Sequence, residues 1–274
     1  MRSLLWLFFL AALLLSGCSK TLEAAQVIID HPDKPGANIE YFVEHPPSAG
    51  PWPTVIFLHG HQNPGARIGG RAFVNWGVLK QFAQRGYLAV SISLPGYGQS
   101  SGPPDFAGPF TQHAVEAVVA KLKMDNQAIP DKILIHGISL GANTAALVAA
   151  KNEQIAGLVL ISGLYDLPAF FADPKTVGAQ MVKAAAVQHT GGSDEAFRQR
   201  SALLLASDIH AATLILNGAQ DDRTDASQAY RLAAAINAHG GRAVAHIFPE
   251  YGHEIPVKIR DAEVRRFIDD TLLR

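Results

Sequence analysis

Six short, unbroken runs of aliphatic and β-branched residues recur along the chain: "TVIFLHG", "YLAVSIS", "KILIH", "IAGLVLIS", "ATLILNG" and "RAVAHIFP". A run with no polar face has to be covered on both sides, which is the situation of a strand inside a parallel sheet. Between the runs lie segments with apolar residues at helical spacing: Phe73–Gln84, Thr111–Lys123, Ala142–Lys151, "ASQAYRLAAAINAHGG", and Val257–Leu272. The alternation predicts an α/β fold, with a mostly parallel central sheet and helices on both faces. Two further strand-like runs, "AQVIID" and "IEYFVE", come first and are separated by the breaker-rich "HPDKPGAN", which predicts an edge hairpin.

One stretch breaks the alternation. From Leu167 to Ser207 the chain offers two helical pieces, "TVGAQMVKAAAVQ" and "SDEAFRQRSALLLAS", between two strands. About forty residues is too long for an ordinary connection in an α/β domain. The expectation is a small helical cap over one end of the sheet, inserted at about residues 167–207.

The amino terminus differs in character. "MRSLLWLFFLAALLLSGCSK" has one basic residue, an apolar stretch from Leu4 to Leu15, and small residues around Cys18. That stretch is too short to span a bilayer and has the order of a secretory signal. Leu15-Ser16-Gly17-Cys18 resembles a bacterial lipobox, in which the cysteine is acylated and becomes the first mature residue. Cys18 is the only cysteine of the chain, and a thioether-linked lipid removes a thiol that is a liability in an oxidising compartment. The resemblance implies a lipoprotein signal peptide over residues 1–17 and a membrane partner through the lipid anchor. Ser19 resembles the residue of proteins retained at the outer membrane, which implies a location in the bacterial cell envelope facing the periplasm. A linker and first strand over 18–39 and a single domain over 40–274 complete the division.

Composition narrows the functional classes. The chain has 274 residues, 48% hydrophobic and 17% charged, enough for one sizeable core. A net charge of −1 with no basic patch interleaved by aromatics argues against a nucleic-acid partner. His31, His45 and His113 stand isolated and there is no cysteine pair, so no metal motif is visible. No Gly-x-Gly-x-x-Gly fingerprint follows a strand, and no cofactor is expected.

The chemistry is carried by "LIHGISLGANTA", Leu134–Ala145. Gly137-x-Ser139-x-Gly141 stands between a buried strand, Lys132–His136, and a helix. Taken alone, the motif is either a tight connection that happens to contain serine or a nucleophile held out on a bend. At such an elbow the serine occupies strained φ/ψ, small residues two positions away on either side prevent clashes, and the hydroxyl stands at the carboxyl end of the sheet. A serine hydroxyl needs a base, and the base needs an acid to hold its tautomer. "LILNGAQDDR" puts Asp221 and Asp222 just past a strand, and "FPEYGHEIP" puts His253 in the loop after the last one. The chain order is nucleophile, acid, base.

With these pieces in place, "FLHGHQ", "LPGYGQSSG", "GISLGA", "LNGAQDD" and "YGHEIP" resemble the α/β-hydrolase superfamily, over about residues 40–273. The dienelactone-hydrolase and prolyl-oligopeptidase-like esterases look most similar, although Pro95 stands where many of them carry Asp. The resemblance implies a serine hydrolase that cleaves a small-molecule carboxylic ester through an acyl-enzyme, with Ser139, His253 and Asp221 as triad. Asp221 rather than Asp222 matches the superfamily spacing of strand, Gly218, two residues, acid. By resemblance the oxyanion donors are the backbone N–H groups of His61 and Leu140, and His59 packs the loop between them. Tyr97, Tyr165, Phe170 and Phe171 are possible pocket residues or packing. Two alternatives stand beside the esterase: a prolyl-oligopeptidase-like peptidase, for which 274 residues leave no room for a peptide-filtering domain, and a non-catalytic envelope binding protein on the same fold.

Overall fold

The apolar runs form strands whose alternate side chains enter two separate cores. In a computed structural model, residues 24–63 and 67–274 are described. The expected signal segment, residues 1–17, and Cys18 lie outside the described residues. Eight strands make one sheet: β1 (Ala25–Asp30), β2 (Asn38–Glu44), β3 (Trp52–Leu58), β4 (Leu88–Ile92), β5 (Ala128–Ile138), β6 (Ile155–Ile161), β7 (Ala212–Gly218) and β8 (Ala243–Phe248). Their order is β1-β2-β4-β3-β5-β6-β7-β8. β1 pairs antiparallel with β2, and β2 antiparallel with β4. All other neighbours are parallel. β1 and β2 thus form the antiparallel edge hairpin of the sheet.

The period of two is visible in the packing. Ile56 and Leu58 of β3, Ile133 and Ile135 of β5, and Leu158 and Leu160 of β6 enter one core. Val55, Phe57, Leu134, Val159 and Ile161 enter the other. Three helices cover the first face: α3 (Pro109–Met124), α4 (Leu140–Ala149) and α8 (Ser227–Ala238). The second is covered by α1 (Arg71–Asn75), α2 (Val78–Gln84) and α9 (Val257–Leu272). The helix expected over Phe73–Gln84 is split into α1 and α2, because Gly77 takes a left-handed φ of 70° between them. β5 begins at Ala128, before Pro130. The pairing register against β3 slips across it, between Ala128 and Ile133, and such an irregularity is where a proline is tolerated in a strand.

The insertion after β6 folds as α5 (Leu167–Ala172), α6 (Val177–Thr190), α7 (Asp194–Arg198) and a 3-10 segment, Ala202–Asp208. Side-chain caps start all three α-helices. Asp166, Thr176 and Ser193 accept from the N–H groups of Ala169, Ala179 and Ala196, each satisfying one otherwise orphaned donor. A third, small core of Phe106, Leu164, Leu167, Phe171, Ala186 and Phe197 holds the insertion together, and Leu140 packs against it. Thr176 Oγ1 donates to the carbonyl of Asp222 at one end of α6. At the other end the His189 ring stands 6.5 Å from that of His61. With 14 residues and a rise of about 1.5 Å each, α6 spans from the loop after β7 to the loop after β3.

Candidate active site

β5 ends in a turn that only small neighbours allow. Ser139 has φ 54° and ψ −116°, a conformation a residue with Cβ holds only when its surroundings impose it. Ser139 N–H donates to Ile161 O at 2.8 Å, and Ser139 O accepts from Ala142 N–H at 2.9 Å. A Cβ on Gly137 would overlap Gly141 O, and a Cβ on Gly141 would overlap Leu58 O. The two glycines therefore let α4 start directly on β5 and lie against β3. The amino end of α4 then faces the serine, with the Leu140 N–H among the first-turn donors that have no intrahelical acceptor.

Two loops from the far side of the sheet bring the other groups. His253 Nε2 stands 3.1 Å from Ser139 Oγ, and its Nδ1 stands 2.9 and 3.0 Å from the carboxylate oxygens of Asp221. The Asp221 side chain is fully buried and that of His253 is nearly so. Asp221 also accepts from Arg223 N–H at 2.8 Å, Thr224 N–H at 3.0 Å, Thr224 Oγ1 at 2.7 Å and Asn217 Nδ2 at 3.2 Å. Burial by itself raises a carboxyl pKa. The hydrogen bond and charge of His253, with the donors of Thr224 and Arg223, outweigh it and leave Asp221 below its ordinary value. Asp222, the alternative acid, points away, its side chain 62% exposed and 4.0 Å from Arg223.

On the other side of the elbow, the β3 loop approaches the serine. A Cβ on Gly60 would come within 3.1 Å of Ser139 Cβ, so the segment carrying the His61 N–H flanks the hydroxyl. His59 anchors that segment. Its Nδ1–H donates to Gly60 O at 2.7 Å, and its Nε2 accepts from Leu94 N–H at 3.1 Å. Burial lowers the His59 pKa to about 4, so the ring is neutral and structural. Tyr165 and Phe171 are buried in cores and pack rather than line a surface.

One positioning group had no signal in the sequence. Ser162 follows β6, has a left-handed φ of 52° and is wholly buried. Its Oγ donates to the carbonyl of His253 at 2.7 Å, fixing the loop that carries the imidazole. The contact joins residues 91 positions apart, and Ser162 belongs to no motif.

The buried histidines also set the response to acid. Burial lowers His136, whose Nδ1 has no partner, to about 3, with the charge of Arg260 adding to the effect. A histidine whose folded pKa lies below its unfolded value of about 6.5 binds its proton on unfolding. Between about pH 6.5 and 4, His59 and His136 therefore make stability fall as pH falls, by roughly 1.4 kcal/mol per pH unit for each. Asp221 acts only below its unfolded value near 3.8, outside this window. His136→Leu is expected to remove about half of the two-histidine slope, read as the difference from wild type in urea-unfolding free energies across the window. An unchanged slope would assign the acid response to other groups.

The sequence matches the family model of the prolyl oligopeptidase family over residues 108–272, and that of the X-Pro dipeptidyl-peptidase (S15) family over residues 35–180. Dipeptidyl aminopeptidase BIII of Pseudoxanthomonas mexicana is 25% identical over 217 residues, which cover 74% of this chain and 30% of that protein. The chain thus spans under a third of that relative's length. In structure, the acylaminoacyl peptidase of Pyrococcus horikoshii matches with a TM-score of 0.74 at 16% identity, over 91% of this chain and 41% of the other. The esterase Pf2001 of Pyrococcus furiosus matches at 0.69 and 17% identity, over 91% and 93% of the two chains. The acetyl xylan esterase of Paenibacillus sp. R4 matches at 0.67 and 17% identity, over 92% and 90%. These likenesses identify the α/β-hydrolase fold.

Proposed function

The chain belongs to the prolyl oligopeptidase family, and its enzymes are serine hydrolases; within that family we propose that it cleaves small carboxylic esters, with Ser139, His253 and Asp221 as the catalytic residues. The observation that carries the reading is the relay itself, a serine Oγ 3.1 Å from an imidazole Nε2 whose other nitrogen faces a buried carboxylate. The preference for esters is supported by the esterases whose fold match runs over nine tenths of both chains.

The steps follow from the distances. His253 Nε2 takes the Ser139 hydroxyl proton as Oγ bonds to the ester carbonyl carbon. The negative charge that develops on the carbonyl oxygen lies beside the His61 and Leu140 N–H groups, and donors of this kind are worth about 2.7–4 kcal/mol each in the transition state. The carbon–oxygen bond to the alcohol then breaks, and His253 returns the proton to the leaving oxygen. Water, deprotonated by the same imidazole, hydrolyses the acyl-enzyme and restores the Ser139 hydroxyl. Asp221 keeps Nδ1 protonated throughout and stabilises the imidazolium.

The test compares kcat/KM on ethyl butyrate with that on a dipeptidyl aryl amide, alongside labelling by a fluorophosphonate. Labelling that Ser139→Ala abolishes, with ester turnover well above amide turnover, is the expected result. Amide turnover equal to or above ester turnover would favour the peptidase reading. A folded protein that neither labels nor turns over either substrate is a binding protein.

A further inference from the structure

Arg67, His61 and His189 converge beside the β3 loop with no acid among them. The Arg67 guanidinium lies 5.4 Å from the centre of the Tyr97 ring, and Gly98 N–H donates to Arg67 O at 2.8 Å, fixing the backbone. The Tyr97 hydroxyl is 2.9 Å from His61 Nδ1. The His61 ring faces that of His189, which also packs against Phe106 at 6.5 Å. Among the described residues, Arg67 Nε and His189 Nδ1 are buried without a hydrogen-bond partner. Among the described residues Arg67 makes no ion pair. Burial lowers the pKa of both histidines, and the Arg67 charge adds to it. The carboxylate that faces His189, Asp105, is already taken by the N–H and hydroxyl of Thr111. A fixed cation with an unpartnered Nε–H, and two imidazoles of which one has an unpartnered ring nitrogen, form a surface that an incoming anion would complete.

The strand order says which part of a substrate meets it. Along the carboxyl edge of the sheet the loops of β4 and β3 lie on one side of the β5 elbow, and those of β6, β7 and β8 on the other. His253 hands its proton to the leaving alcohol, so the alcohol departs on the β8 side. The remainder of the acyl group is left to extend toward the loops of β3 and β4, where Arg67, His61 and Tyr97 stand.

We propose that Arg67 and His189, with His61, bind a carboxylate on the acyl half of the substrate, so that the preferred esters are hemi-esters of short dicarboxylic acids. The inference rests on the esterase reading and narrows it. The planar guanidinium fork suits a carboxylate, and the Arg67 charge disfavours an ammonium group at the same place, as at the free amino terminus of a peptide.

Three esters decide it: monoethyl succinate, ethyl butyrate and carboxymethyl butyrate, which have a charged acyl half, no charge, and a charged alcohol half. Wild type should show the highest kcat/KM on monoethyl succinate. Losing a hydrogen-bonded charge partner should lower the succinate-to-butyrate ratio about 10- to 100-fold in Arg67→Gln. Arg67→Lys should keep part of the ratio, and His189→Gln should lower it by a smaller factor. Circular dichroism checks folding, and using the ratio cancels any general loss. A protein that hydrolyses ethyl butyrate but shows no succinate preference, or a preference untouched by both Gln substitutions, overturns the proposal and leaves the esterase reading intact. Preference for carboxymethyl butyrate overturns the acyl-side assignment. Folded protein that hydrolyses none of the three overturns the esterase reading, and the proposal with it.

Discussion

Ser139→Ala is expected to leave a folded protein whose kcat/KM on ethyl butyrate is reduced by about 10⁶-fold, the scale of loss when a serine nucleophile is removed from a triad. The fold survives because alanine keeps the Cβ that already fits at φ 54°, and because the elbow is held by bonds that do not use the hydroxyl. Those are Ser139 N–H to Ile161 O and the Ala142 and Asn143 N–H groups to Ser139 O. The side chain gives up one hydrogen bond, to His253 Nε2. His253→Ala should lose a comparable factor, since the hydroxyl is a poor nucleophile without its base. The double variant should be scarcely slower than either single one, because two groups that act as a unit do not add. Circular dichroism and the urea midpoint check that all three variants fold. Activity near wild type in folded Ser139→Ala would mean that the serine is only a turn residue and that the esterase reading is wrong.

The parts of this arrangement that were legible in the sequence are those where one short stretch meets a local demand. β3 to β7 lie inside the sheet, so their residues had to be apolar on both faces. The Gly137-x-Ser139-x-Gly141 motif declared itself because a Cβ at either glycine collides with backbone. The Leu167–Ser207 insertion was visible as an excess of length with two helical pieces, while the short α5 that opens it was not. What was not legible depends on pairs remote in sequence. The position of α6 follows from Thr176 meeting Asp222 and His189 meeting His61, and no periodicity encodes either pair. Ser162 holds His253 through a backbone carbonyl, which leaves no mark on residue type. Arg67 and His189, 122 positions apart, belong to no motif, and only the fold brings both beside His61. The break at Gly77 was hidden because the apolar spacing on both sides of it stays in step with one helix.

The choice between two adjacent acids gives the second large effect. Asp221→Asn should lower kcat/KM about 10⁴-fold, the loss seen when the orienting carboxylate of a serine-protease triad becomes an amide. The reason lies in the donors around it. Arg223 and Thr224 N–H groups point at Oδ1, while Asn217 Nδ2, Thr224 Oγ1 and His253 Nδ1 converge on Oδ2. An asparagine would satisfy the two backbone donors with its oxygen and turn its NH₂ toward the imidazole. His253 Nδ1 would then have to accept, the ring proton would move to Nε2, and Nε2 could no longer take the proton from Ser139. Asp222→Asn touches none of this. Its side chain is 62% exposed and 4.0 Å from Arg223, a surface contact worth about 0–1 kcal/mol, and the bond from Thr176 uses its backbone carbonyl. Its kcat/KM should stay within about fivefold of wild type. The decisive measurement is kcat/KM on ethyl butyrate for both variants, with the rate of fluorophosphonate labelling as a readout of the serine's reactivity. Labelling should slow in Asp221→Asn in step with turnover, because both need the same tautomer. Equal losses in the two variants, or a larger one at Asp222, would move the acid role away from the buried carboxylate and require a histidine loop arranged differently from the one held by Ser162.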